Sequence, residues 1–362
     1  MSNFDPHKPF NDLPSLPPSA DFETKAVLKA LIPASRALAE LKGLGNSIPD
    51  QTILINSLIL QEAKASSEIE NIVTTNDTLY KAFTSSNQSA DSATKEVLRY
   101  RAAVWDAFNH LKERPILGTN LFESIVRQIK ANDSGVRNTP GTKLSNPNTD
   151  DVVYTPPEGE SVIRQKLADL EHFIHADDTT DPLIKLALIH YQFEAIHPFT
   201  DGNGRTGRII NILFLVFKGL LELPVLYLSR YIIENKNEYY HLLRKVTEQN
   251  SWEAWILFML DAVANTAVDS RNRIVAIRRL LDIFIDRAKS GLPSRMYSKD
   301  LIELIFRSPY TKVQHLVDSG VAKRQTASEY LNTLEKLGFL QSQIVGREKL
   351  FLNSELFEIL SK

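Results

Sequence analysis

The chain has 362 residues, more than one core usually holds, so two or three packed units are expected; with 43% hydrophobic and 24% charged residues, general disorder is excluded. Lys plus Arg number 42 against 44 Asp plus Glu, so the overall charge points to no polyanion or membrane surface, and any such binding falls to a local patch. The lack of cysteine excludes disulfides, thiolate metal sites and a cysteine nucleophile, and suits a reducing cytosol.

The first residues, MSNFDPHKPFNDLPSLPPSAD, carry prolines and acids where a secretory signal needs an unbroken apolar core, so a cytoplasmic protein is expected. Proline punctuation through Pro18 reads as an extended arm laid on another part of the chain. Helical spacing follows over Phe22 to Leu44, ended by Gly43 and Gly45, and again over 51 to 71, where Ile55, Leu58, Ile59 and Ala63 form one stripe. After a polar gap at 84 to 94, EVLRYRAAVWDAFNHL and LFESIVRQIK predict two amphipathic helices.

The pattern changes at residues 133 to 160, where turn residues mix with short β-friendly pieces and predict a hairpin. Helices resume with SVIRQKLADLEHFIH and LIKLALIHYQFEAIH, the second apolar on most sides and therefore expected at the centre. It leads into HPFTDGNGRTGR, residues 197 to 208, and then into IINILFLVFKGLLEL. The apolar run Ile209 to Phe217 is far short of a roughly 20-residue membrane span. Helical spacing continues from Asn235 to Ala288, and Gly291 and Pro293 mark a joint. Beyond it three helices and a β-hairpin are predicted, in the order of a winged helix-turn-helix.

The histidine stretch carries the chemistry. Gly202, Gly204 and Gly207 permit sharp turning and leave N–H groups unobstructed, while the helix that starts there aims unpaired N–H groups and a partial positive charge at the same point. Arg205 and Arg208, three apart, can both reach one anion, and their forked donors suit phosphate oxygens. Asp201 at the lip is a hard oxygen ligand suited to Mg²⁺ bridging two phosphates. A phosphate chain with a metal means a nucleotide. His197, just outside, can take a proton from an attacking hydroxyl when neutral. No Walker A run or Gly-x-Gly-x-x-Gly fingerprint competes with this segment.

This stretch resembles the signature of the Fic family, His-Pro-Phe-x-(Asp/Glu)-Gly-Asn-(Gly/Lys)-Arg-x-x-Arg, at every specified position. The resemblance implies a mainly α fold: a Fic helical bundle with a short β-hairpin flap, followed here by the winged helix-turn-helix. It implies an adenylyltransferase that uses ATP and Mg²⁺ to attach AMP to a hydroxyl side chain of a target protein, with the chain itself as a further acceptor. His197 would be the base and Asp201 the metal ligand. Gly202, Asn203, Gly204, Arg205, Thr206 and Gly207 would line the phosphates, and Arg208 would grip the γ-phosphate. Glycine rather than lysine at 204 argues for AMP transfer over the phosphotransfer alternative. NKNEYYHLL resembles a segment beside the adenine, with Tyr240 the choice and Tyr239 its rival. The flap, residues 136 to 156, would pair with the backbone of the target segment.

SSEIEN, residues 66 to 71, is similar to the family's inhibitory pattern (Ser/Thr)-x-x-x-Glu-(Gly/Asn), with Ser66, Glu70 and Asn71 in the specified places. The resemblance implies the self-inhibited class: Glu70 would pair with Arg208 and leave ATP misaligned. In some relatives the same glutamate is held to assist removal of AMP. Four regions are expected: residues 1–95 as arm and inhibitory helix, 96–260 as catalytic core, 261–290 as a connecting helix, and 291–362 as the winged module. A second copy of the chain is a further partner left open.

A DNA-binding regulator is the alternative of a different class. Residues 295 to 362 hold ten Lys/Arg against eight Asp/Glu, a thin phosphate footprint. Its candidate recognition helix begins with Lys323 and Arg324 but continues with Glu329 and Glu335, and its stripe of Ala327, Tyr330, Leu331 and Leu334 suits a core. Protein contact is the other role for 291 to 362.

Overall fold

A computed structural model describes residues 4–45, 50–85, 90–145 and 149–361. In chain order the helices of the first half are α1 (Lys25–Gly45), α2 (Gln51–Ile69), α3 (Asn76–Thr84), α4 (Ser92–Glu113) and α5 (Thr119–Lys130). Strands β1 (Leu144–Ser145) and β2 (Val152–Tyr154) precede α6 (Glu160–His175), α7 (Pro182–Ile196), α8 (Asn203–Phe217), α9 (Leu228–Glu234), α10 (Lys236–Gln249) and α11 (Trp252–Gly291). The rest is α12 (Lys299–Leu304), β3 (Tyr310–Thr311), α13 (Val313–Asp318), α14 (Arg324–Lys336), β4 (Gln341–Val345), β5 (Glu348–Leu352) and α15 (Ser354–Ser361).

Side-chain caps set several starts: Asp50, Thr75, Asp91 and Asp181 accept from backbone N–H groups of α2, α3, α4 and α7. Pro182 then occupies the first turn of α7, where its missing N–H has no helical acceptor to lose. Helix α7 is buried on nearly every side, as its composition requires, and packs against α6, α8 and α11. The 40-residue α11 lies along α1 and reaches the tail. One hydrophobic cluster extends from Leu13 in the arm to Leu360 in α15. Among the described residues no helix is long and apolar enough to cross a membrane.

Several boundaries differ from the periodicity. Helix α1 starts at Lys25 and runs through Gly43 to Gly45. Helix α2 stops at Ile69, because Glu70 caps it and Asn71 turns left-handed at φ 62°. The helical spacing from Asn235 to Ala288 divides at Asn250, left-handed at φ 57°, into α10 and α11. Helices α3, α9 and α15 were not anticipated by the apolar pattern.

The hairpin is short, with Leu144 opposite Tyr154 and Ser145 opposite Val152. Residues 146–148 of the flap lie outside the described residues. The proline-rich arm is laid across the base of this hairpin. Phe10 N–H donates to the Thr155 carbonyl at 3.0 Å, the Thr155 hydroxyl donates to the Pro6 carbonyl at 2.6 Å, and Phe4 stacks on Tyr154 at 5.9 Å between ring centres. Lys166 and Gln192 donate to the Leu13 and Pro14 carbonyls, tying the arm to α6 and α7.

In the tail, β5 lies between β3 and β4 in one antiparallel sheet. Ala327, Leu331 and Leu334 of α14 are fully buried and Tyr330 is half-buried, so that stripe is core. Glu329 pairs with Arg295 and Glu335 with Lys349. The tail docks on the N-terminal helices: Arg307 pairs with Asp50 at 2.6 Å, and the Thr84 hydroxyl donates to the Tyr310 carbonyl at 3.1 Å.

Candidate active site

The site forms where α7 ends and α8 begins. His197 closes α7 in the left-handed region at φ 48°, its N–H donating to the Phe193 carbonyl at 3.0 Å. Phe199 and Asn203 then lock the turn: the Asn203 amide accepts from Phe199 N–H and donates to the Phe199 carbonyl, both at 2.8 Å. Gly202 starts α8 at φ 80°, a conformation that strains any L side chain. The first N–H groups of α8 have no intrahelical acceptor, and no side chain caps them.

Arg205 projects from the first turn of α8 and Arg208 from the second, and their side chains are only 1% and 2% exposed. One carboxylate serves both. Glu70, at the end of α2, accepts from Arg205 Nε at 2.6 Å through Oε2 and from Arg208 Nη2 at 2.8 Å through Oε1. Ser66, one turn earlier, accepts from Arg208 through its hydroxyl at 2.7 Å and its carbonyl at 2.8 Å. Asn71 follows with left-handed backbone and turns the chain away. Gly204 lies directly beneath this clamp: a Cβ there would sit 2.7 Å from Glu70 Oε1 and 2.8 Å from Arg208 Nη1. A Cβ on Gly207 would meet Glu194 Oε1 at 2.5 Å and Phe193 Cδ1 at 3.0 Å, so a larger residue there would have to displace both side chains of α7. Thr206 is fully buried behind them.

The remaining charges are arranged around the clamp. Arg205 also pairs with Glu96 of α4, and Lys130 of α5 bridges Glu96 at 3.2 Å and Asp201 at 2.5 Å. Burial works against the negative charge of Glu96 and Asp201, but the neighbouring arginine and lysine outweigh it and hold both below the usual carboxylate range. Burial likewise opposes the charge on Arg208, and Glu70, Tyr239, Tyr100 and Glu194 more than offset it, so it is held above its ordinary value. Behind α2, Glu62 is buried and accepts from the Ser229 N–H at 2.9 Å and from the Tyr100 hydroxyl at 3.2 Å, fixing the helix that carries Ser66 and Glu70.

Arg137, at the base of the flap, is 3% exposed and donates to the His197 carbonyl at 2.8 Å and the Pro157 carbonyl at 2.5 Å. Its own N–H donates to Pro198 O at 2.9 Å, so the flap and the histidine turn form one unit. Burial, reinforced by Arg137, pushes the His197 imidazole down to about 4, which leaves it neutral at physiological pH. Glu194, one turn before His197, is pushed the other way, up to about 7, mainly by burial. Its Oε1 is buried without a hydrogen-bond partner.

The structure therefore brings together His197, Asp201, Gly202, Asn203, Gly204, Arg205, Arg208, Ser66 and Glu70. It separates the two tyrosines. Tyr239 is buried, with its hydroxyl 2.8 Å from His190 Nε2 and its ring beside Trp255. Tyr240 is 48% exposed on the side of the clamp, close enough to feel the charges of Arg208, Glu194 and Glu70. Sequence reasoning missed Glu96, Lys130, Arg137 and Glu194. Of these, only Glu194 carried a local signal, lying one helical turn before His197. Among the described residues no cluster of three or more His, Asp or Glu side chains is placed to hold a metal. Asp201, 57% exposed, fits Mg²⁺ as one protein ligand among phosphate oxygens, the usual way that this ion is held.

Family profiles match most of the chain: Fic/DOC family N-terminal over residues 28–109, Fic/DOC family over 119–215, and the C-terminal domain of SoFic-like protein adenylyltransferases over 280–356. Protein adenylyltransferase fic-1 of Caenorhabditis briggsae is 37% identical over 91 residues, 24% of this chain and 16% of that protein. Protein adenylyltransferase Fic of Drosophila grimshawi is 28% identical over 112 residues, 30% of this chain and 22% of that protein. The match thus spans less than a quarter of the length of either relative. The crystal structure of a Fic family protein from Desulfovibrio desulfuricans shares the fold at a TM-score of 0.55 and 19% identity, over 91% of this chain and 96% of that one. A Fic domain protein from Bacteroides thetaiotaomicron does so at 0.52, over 67% and 96%. A histidine turn, a glycine-started helix and flanking segments that each match their own profile place this chain in the Fic/DOC family.

Proposed function

We propose that the chain is a protein adenylyltransferase that moves AMP from ATP to a Ser, Thr or Tyr hydroxyl of a target protein, and that Glu70 holds it inactive. The observation that carries this reading is the pair of buried arginines at the start of α8 that share one carboxylate, Glu70, from another helix. When Glu70 withdraws, two guanidinium forks and the free N–H groups of α8 converge on the space beside His197. That set of donors suits a triphosphate.

In the reaction, the target hydroxyl oxygen attacks the α-phosphorus of ATP, and its proton passes to the imidazole of His197. The bond from the α-phosphorus to the bridging oxygen breaks, and pyrophosphate leaves with that electron pair. At about 4 the imidazole is a weak base, and a triphosphate seated next to it raises its affinity for the proton. Arg205 and Arg208 orient the phosphates, and Asp201 would hold Mg²⁺, which neutralises phosphate charge when bound. Tyr240 would edge the adenine. The flap around β1 and β2 offers backbone for strand addition, which positions a hydroxyl while reading little target sequence.

Parallel incubations of the Glu70→Gly variant, freed of its clamp, with α-labelled and γ-labelled ATP test the proposal. Label from the α position alone, lost in His197→Ala, is expected; transfer of the γ label would replace AMP transfer with phosphotransfer. Mass spectrometry for an AMP adduct after incubation with cell lysate identifies the target. A salt-dependent shift of duplex DNA by the full chain would instead favour the regulator reading of the tail.

A further inference from the structure

Helix α2 presents a second polar face. By its 3.6-residue period, Gln61, Lys64, Ala65 and Glu68 lie opposite the stripe that carries Ser66 and Glu70. With α9 and α11 they border a cavity of about 310 Å³, into which Arg230 and Arg273 also face. This hollow is separate from the histidine turn.

One of its three cations has no ion-pair partner among the described residues. Arg273 is 8% exposed, and its guanidinium lies 5.6 Å from the centre of the Tyr227 ring. Its hydrogen bond is a long one, 3.4 Å to the Leu360 carbonyl, and no carboxylate lies in ion-pair range of it among the described residues. None of its side-chain nitrogens is both buried and without a partner, so the donors it does not spend on Leu360 open into the hollow, where an incoming acceptor can reach them. Arg230 shares the cavity and is near enough to repel it. Burial first, and then this like charge, hold Arg273 below its ordinary value. Arg230 has Glu234 at 3.0 Å and Asp269 at 3.8 Å, and Lys64 has Glu68 at 3.5 Å, so these two cations are balanced and Arg273 is the one left over. Gln61, whose side-chain amide reaches the Tyr80 hydroxyl at 2.8 Å, adds a neutral polar wall.

We propose that this cavity is an anion site for a phosphate group, built by Arg273, Arg230 and Lys64 and distinct from the socket at α8. Two arginine forks and an ammonium suit the three oxygens of a phosphate better than a planar carboxylate, which one fork would satisfy. Free phosphate and the phosphate of a nucleotide present the same chemistry, and the experiment separates them.

Calorimetric titration of the full chain at low ionic strength with inorganic phosphate, pyrophosphate and AMP, each alone, is the test. At least one of them is expected to bind saturably, and the titrant that binds tightest names the source. Binding is expected to weaken at least about tenfold in Arg230→Gln and in Lys64→Gln, both on the partly open rim, and to be lost in Arg273→Gln. Should Arg273→Gln fail to fold, the two rim variants decide the matter. The Arg244→Gln isotherm, at an exposed arginine outside both sites, is expected to match wild type. Saturable binding that is unchanged in both Arg230→Gln and Lys64→Gln places the ion elsewhere and overturns the proposal, as does the lack of saturable binding by all three titrants. The readout needs no transfer activity, so it stands or falls apart from the adenylyltransferase reading.

Discussion

Replacing Glu70 with glycine removes both ends of the clamp at once. The carboxylate reaches Arg205 at 2.6 Å and Arg208 at 2.8 Å, and the two guanidiniums are 1% and 2% exposed. Removing one side of a buried pair typically costs about 3–5 kcal/mol. The effective value here is smaller, because the Glu70 side chain is 24% exposed, Arg205 keeps Glu96 and Arg208 keeps Ser66. A triphosphate that must displace Glu70 therefore works against about 2–3 kcal/mol. At about 1.4 kcal/mol per tenfold, Glu70→Gly binds Mg·ATP about 30- to 150-fold more tightly than the parent chain. Titration calorimetry measures the affinity, and incorporation of α-labelled AMP into the chain itself reports the consequence. Adding His197→Ala abolishes incorporation while keeping the tight binding. Without ATP the same variant leaves two buried arginines short of counter-charge, so it melts at a lower temperature even as it gains affinity. An affinity change under about threefold, with unchanged AMP incorporation, would refute the clamp.

Three further outcomes are expected. Because His197 is held neutral down to about pH 4, kcat/KM with ATP, measured in a Glu194→Gln background so that the neighbouring carboxyl does not titrate, stays flat on the acid side from about pH 8 to about pH 6; a limb near the ordinary histidine value of about 6.5 contradicts that assignment. Glu194 has its folded value raised to about 7 from 4.5, so the folded chain holds a proton that the unfolded chain releases. Stability from this group is intact below the unfolded value and is lost as pH rises through the folded one. Glu194→Gln therefore stabilises the chain by about 1–3 kcal/mol at pH 8 and changes little near pH 4.5, read from melting temperatures at the two pH values. Equal effects at both would show that the carboxyl does not titrate as described. Gly204→Ala drives a Cβ against Glu70 and Arg208, costing about 1–3 kcal/mol in the parent chain and about 1 kcal/mol less in Glu70→Gly. Strict additivity in this double-mutant cycle would show that position 204 does not press on the clamp.

Much of the fold was legible because it is local. The apolar stripe of α2 and the apolar run of α7 act within a few residues of where they stand. Helices α3 and α9 escaped because nine and seven residues are too few for an apolar period to stand out. The break between α10 and α11 escaped because it rests on one left-handed asparagine, Asn250, inside an otherwise continuous pattern. Ser66 and Glu70 could be paired with Arg208 only by analogy with a family pattern. Nothing in their own neighbourhood says that the end of α2 meets the start of α8.

What the amino-acid order determined by itself is the socket. Gly202 permits the left-handed turn, α8 starts at once, and its period puts Arg205 and Arg208 on one face, all through backbone sterics and helix geometry within twelve residues of His197. What only the tertiary structure decided is which charges surround it. Glu70, Glu96, Lys130 and Arg137 arrive on four different segments, and α10 turns Tyr239 inward and Tyr240 outward. Chain order carries no record of those distances, because the packing of apolar faces, on which these polar residues are passengers, sets how the helices meet.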